Sequence, residues 1–75
     1  MKINEYQQLA LRTASDESKE RLILNGALGL TGESGEVVDI VKKNLFQGHD
    51  LDKDHIAKEL GDICWYIAIT AHGIG

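Results

Sequence analysis

Proline is absent from this 75-residue chain, and cysteine occurs once, at Cys64. Without proline, nothing forces a helix to break. With one cysteine, no disulfide can form within the chain, and a lone thiol in an apolar run fits a reducing compartment. No apolar run approaches the roughly 20 residues of a membrane span. Met1-Lys2-Ile3-Asn4-Glu5 has no apolar leader segment. The expectation is a soluble, cytoplasmic protein with no membrane partner. Basic residues are scarce too, 8 Lys and Arg against 12 Asp and Glu, for a net charge of −4. An acidic domain binds a phosphate backbone poorly, so polymeric nucleic acid is not an expected partner. A chain this short buries only about 60% of its unfolded surface. One domain is therefore expected over residues 1–75, supported by a metal, a partner subunit or both.

What is present is helical periodicity. Apolar residues make up 43% of the chain, and nowhere do they alternate as a strand requires. A first helix is predicted from Glu5 to Thr13, with Asn4 and Gln7 as a capping pair and Tyr6, Leu9 and Ala10 on one face. A second follows Ser15-Asp16-Glu17-Ser18. Ser18 suits its start, Asp16 or Glu17 suits its N-terminal dipole, and Gly48 is the stop after Gln47. Its apolar stripe reads Ile23, Ala27, Leu30, Val37, Val41 and Leu45. A third runs from a cap at Asp54 towards His72, with Ile56, Leu60, Ile63, Ile67 and Ile74 in register. The fold class is all-α, an antiparallel helical bundle completed by self-association.

Glycine is concentrated in the second helix, at Gly26, Gly29, Gly32 and Gly35. Each costs roughly 1 kcal/mol of helix propensity against alanine. Three readings stand: close helix packing, a break near Gly32, or backbone drawn tightly around a compact metal site.

Two acidic pairs carry the chemistry, Glu33-Ser34-Gly35-Glu36 and Glu59-Leu60-Gly61-Asp62. The i, i+3 spacing puts both carboxylates of a pair on one helix face. A lone pair of this kind is most often a solvated face. Here both pairs border apolar stripes, beside Val37 and Ile40 on one helix and Leu60 and Ile63 on the other. Packing those stripes antiparallel brings four carboxylates to one border. A hard divalent cation relieves their repulsion, and oxygen-only ligands suit Mg²⁺ or Mn²⁺. The net charge of −4 equals the charge of these four residues alone.

Gly29-Leu30-Thr31-Gly32-Glu33-Ser34-Gly35-Glu36, the basic Lys42-Lys43 and Glu59-Leu60-Gly61-Asp62-Ile63-Cys64-Trp65-Tyr66 together resemble the MazG-like nucleoside triphosphate pyrophosphohydrolases. The opening Asn4-Glu5-Tyr6-Gln7 resembles short members of that family. The resemblance implies a homodimer or homotetramer of helical bundles that hydrolyses (d)NTP to monophosphate and pyrophosphate with Mg²⁺, as nucleotide-pool house-cleaning. It implies Glu33, Glu36, Glu59 and Asp62 as metal ligands, and a substrate contact at Tyr66, one turn after Asp62. Glu33 or Glu36 is the expected general base. Two departures stand out. Gly32 occupies the place of an additional acidic residue in the longer motif. Larger members also continue past the position of Gly75 into a helical segment with substrate-holding Asn, Lys and Arg residues.

Lys43, two turns after Glu36, is either a phosphate contact or a surface lysine at a helix C-terminus. Trp65 falls opposite Ile63 and Ile67, so a subunit interface or base stacking is expected there. Phe46 and Ile69 also lie off their stripes and suggest a second buried face. His49, His55 and His72 have no ligand spacing with one another or with Cys64, and read as surface residues. The absence of a Glu-x-x-His pair argues against a di-iron bundle. Asp50-x-Asp52-x-Asp54 fails as a calcium loop, because His55 stands where glycine is needed and Gly61 where the bidentate Glu belongs. The alternative function is a non-enzymatic helical oligomer that binds nucleotide–Mg²⁺.

Overall fold

The computed structural model describes residues 1–14 and 17–75. They form three helices: α1, Ile3–Leu11, α2, Lys19–Gln47, and α3, Lys53–Ile74. The expected role of Asp16 at the start of α2 lies outside the described residues. The Ser18 hydroxyl caps α2 by accepting from the Arg21 N–H at 3.3 Å. Gly48, at φ 72°, closes α2 in the left-handed region that a side chain would disfavour. α3 starts two residues early, because the Asp52 carboxylate accepts from the His55 N–H at 3.1 Å and Asp52 rather than Asp54 is the cap. α1 is likewise shifted. Its first turn uses Glu5, which accepts from the Lys2 N–H at 3.5 Å. Gln7 is spent elsewhere, donating from Nε2 to the Ala68 carbonyl at 3.3 Å.

α3 is the middle of three. It lies antiparallel to α2 on one side and to α1 on the other, and α1 makes no close backbone approach to α2 among the described residues. The result is an open layer measuring 43 × 26 × 16 Å, with a radius of gyration of 14.3 Å. A closed domain of this length would have a radius of about 11 Å. None of the described helices is long and apolar enough to cross a membrane.

The middle position of α3 explains Trp65. Its indole faces α1 within the chain. Nε1 donates to the Ala10 carbonyl at 3.2 Å and to the Thr13 hydroxyl at 2.8 Å. Ala10 is in the last turn of α1, and its carbonyl also accepts from the Thr13 N–H at 3.1 Å and the Thr13 hydroxyl at 3.0 Å, so the indole joins a hydrogen-bonded helix end. Tyr66 sets its ring edge-on to Trp65, with centroids 5.3 Å apart.

The α2–α3 seam is built of small residues. A Cβ on Gly26 would strike the Thr70 side chain, and one on Gly29 would fall inside the Tyr66 ring. A Cβ on Gly73 would lie 3.1 Å from the Lys19 carbonyl oxygen. Close packing thus accounts for Gly26 and Gly29. Gly32 and Gly35 have open space around them, and α2 runs through Gly32 unbroken.

Because the seam is drawn by glycines, it follows the apolar stripes read from the sequence only in part: Ile23, Leu30, Val37, Ile56 and Ile63 are half-buried, and the rest are not. Ala27, Val41 and Leu45 face outward on α2, as do Leu60, Ile67 and Ile74 on α3. The buried apolar side chains are Ala10, Leu22, Ala68 and Ile69. Ile69 is fully buried within the chain, whereas Phe46 is 80% exposed, so these two residues do not share a face. Cys64, in spite of its apolar neighbours in sequence, is exposed.

Alanine substitution should separate the two kinds of glycine. Gly32→Ala gains up to about 1 kcal/mol of helix propensity with nothing to strike. Gly29→Ala gains the same but overpacks against Tyr66, which typically costs about 1–3 kcal/mol. Thermal melts should show the first raised and the second lowered relative to the parent.

Candidate metal centre

The register fixed by the glycines carries down the seam. Gly73 meets Ile23, Gly26 meets Thr70 and Gly29 meets Tyr66. One turn further, Glu33 meets Asp62 and Glu59, and beyond that Glu36 meets Glu59. Ligand atoms of Glu33, Glu59 and Asp62 all lie within 4.8 Å of one another, and so do those of Glu36, His55 and Glu59. All four carboxylates singled out in the sequence are therefore gathered into two overlapping groups that share Glu59.

The acidic pairs were expected at the border of the helix contact. Glu59 lies within it instead, only 3% exposed. Glu33 and Asp62 are half-buried and Glu36 is exposed. Glu59 Oε1 is 3.2 Å from His55 Nε2. Glu59 Oε2 and Glu33 Oε2 are buried without any hydrogen-bond partner. Two carboxylates under 5 Å apart repel by on the order of 3–4 kcal/mol at an effective dielectric of about 20. Orphaned buried carboxylate oxygens add a desolvation cost. An oxygen-rich donor set with unclaimed lone pairs is what a hard divalent cation requires, so these residues fit one.

Beside the centre runs a groove of about 510 Å³, lined by Glu36, Asp39, Lys43, His49, Asp52 and His55 among others. Lys43 does share the groove with Glu36, but its Nζ is held 2.9 Å from Asp39 Oδ2. The Lys43 hydrogen bond and charge hold the Asp39 carboxyl below its ordinary range. Tyr66 does not line this groove. It is a half-buried wedge over Gly29, one turn from Asp62. On the opposite flank Tyr6 faces Cys64 and Asp62. Partial burial first, then the Cys64 and Asp62 side chains beside it, push its phenol up, so it stays an O–H at neutral pH.

His55 is the group that sequence reading missed. It was treated as a surface residue, and its side chain is indeed 46% exposed. The available signal was His55-x-x-x-Glu59, an i, i+4 pair that a helix places on one face. His49, in the groove wall, and His72, exposed on the last turn of α3, join neither group.

Residues 23–73 match the sequence model of the MazG nucleotide pyrophosphohydrolase domain. The chain is similar to the Gene 37 protein of Mycobacterium phage L5, with 39% identity over 49 residues, 60% of this chain and 43% of that protein. The similarity thus spans less than half of that relative's length. No solved structure matches. The family match takes in every carboxylate of the centre together with Lys43, His55 and Tyr66, and leaves out α1.

Glu59→Gln tests the charge in the seam. The amide removes repulsion and can donate to Glu33 Oε2, so the variant should melt higher than the parent in chelator. Divalent cation at a hundredfold excess over Kd should stabilise the parent by about 2.7 kcal/mol. In Glu59→Gln that increment should vanish.

Proposed function

The chain belongs to the MazG nucleotide pyrophosphohydrolase family, and from that premise we propose that it hydrolyses (deoxy)nucleoside triphosphates to monophosphate and pyrophosphate in a Mg²⁺-dependent reaction, clearing unwanted nucleotides. The observation that carries this reading is the pair of buried, partnerless carboxylate oxygens on Glu33 and Glu59, facing Asp62 and Glu36 in one seam. Such a seam repels a triphosphate. A bound divalent cation would reverse the local charge and polarise the phosphate oxygens.

The chain's own residues then have distinct tasks. Glu33, Glu59 and Asp62, with Glu36 adjoining through Glu59, would hold the cation. Glu33 or Glu36 uses an oxygen not engaged with it to take a proton from the attacking water. The water oxygen bonds to the α-phosphorus, the bond from α-phosphorus to the bridging oxygen breaks, and pyrophosphate leaves with that electron pair. Lys43 contacts the departing phosphates after exchanging Asp39 for them, which the shared groove permits. Tyr66 holds substrate indirectly, by bracing the turn that carries Asp62.

We further place the working form as a homodimer or homotetramer. Leu24, Leu28, Val38 and Leu45 lie exposed on the face of α2 turned away from α3, at spacings that bring them to one side of a helix. The thin layer and small core favour the same conclusion.

The test is product analysis with a panel of nucleotides in Mg²⁺, alongside light-scattering mass. Release of pyrophosphate, lost in Glu36→Gln and Asp62→Asn while both remain folded, is the expected result. Folded oligomer that binds nucleotide and Mg²⁺ without turnover would identify a binding module instead.

A further inference from the structure

Glu59 belongs to two donor groups at once, and the groups differ in kind. Glu33, Glu59 and Asp62 offer oxygen only, whereas Glu36, His55 and Glu59 include an imidazole. We propose that Glu36, His55 and Glu59 form a second cation position, which takes a transition-metal ion of the Mn²⁺ class in preference to Mg²⁺. This rests on the metal-dependent reading above and adds to it the identity of the second ion and the residue that selects it.

Three observations support the position. First, Glu59 is divided: Oε1 stands 3.2 Å from His55 Nε2, while the buried Oε2 has no partner. A carboxylate with one oxygen at the imidazole and the other unclaimed has an oxygen for each of two cations. Second, the imidazole is aimed. Its backbone N–H is held by Asp52 Oδ1 at 3.1 Å, and Asp52 Oδ2 lies 3.9 Å from Nδ1. A cation seated between Nε2 and Glu59 Oε1 would replace that 3.2 Å contact, with Asp52 on the far side of the ring as outer support for the Nδ1 proton. Third, Glu36 and His55 both line the open groove, so the position has an entrance.

The chemistry of the donors then decides the ion. Mg²⁺ demands oxygen and keeps its waters. Imidazole suits the first-row transition metals, and carboxylates suit Mn²⁺ in particular. The α3 N-terminus opposes a cation with roughly half a positive charge. Glu36, Glu59 and the nearby Asp52 outweigh it.

The experiment is Mn²⁺ titration of the full chain, followed by electron paramagnetic resonance with and without excess Mg²⁺. We expect two Mn²⁺ per chain, one displaced by Mg²⁺ and one retained, the retained ion showing nitrogen coupling from imidazole. In His55→Gln, at unchanged helicity, the nitrogen coupling should disappear. The affinity of the Mg²⁺-resistant Mn²⁺ should fall by at least the roughly tenfold that even outer-shell changes cause. Mg²⁺-induced stabilisation should persist. If His55→Gln keeps the parent's Mn²⁺ stoichiometry and its preference over Mg²⁺, the proposal is wrong and the oxygen-only centre still stands. If the parent binds neither ion, the metal-dependent reading fails, and this inference with it.

Discussion

The distance between α2 and α3 controls the rest of the molecule. Gly26, Gly29 and Gly73 leave no room for a Cβ, so the two helices can meet only where Tyr66, Thr70 and Ile23 fill those notches. A slip by one turn would push a side chain into backbone. Once that register is set, a constant helical step delivers Glu33 opposite Asp62 and Glu36 opposite Glu59. The seam is thus a ruler, with glycines as the marks at one end and carboxylates at the other.

The same seam sets two demands against each other. A small domain is held together mainly by burial of apolar surface. This chain instead places a carboxylate, Glu59, at one of its most buried positions and leaves Leu28, Val38 and Phe46 in the open. Removing a charge from water is costly unless it is paired. His55 and a cation are the available partners on one side, and the outward face of α2 supplies unspent apolar surface on the other. Binding of metal and burial of that face would therefore each contribute to folding as well as to function.

Much of this was legible in the sequence. The three helices, the Ser18 cap and the Gly48 stop follow from local chemistry, which acts within a turn. The convergence of the two acidic pairs followed from their equal spacing on neighbouring helices. What escaped were the features that depend on which face meets which. Of the stripe residues, Ala27, Val41, Leu45, Leu60, Ile67 and Ile74 fall outside the seam, because the glycines on the neighbouring face allow the backbones closer. The packing of Trp65 on α1 escaped because nothing in the sequence tells that α3 lies between its neighbours. His55 was tested for spacing against other histidines and Cys64, not against the acidic residue one turn ahead.

Trp65 is the chain's only tryptophan, and it sits on the flank of α3 that faces α1, hydrogen-bonded to the end of that helix. Its ring also stands edge-on to Tyr66, one turn from Asp62. Nature has in effect installed an optical probe where the two helix contacts adjoin. Its ultraviolet emission reports whether the N-terminal helix is seated. A change in emission colour on adding an ion would mean that the effect had passed from Asp62 through Tyr66 to the indole.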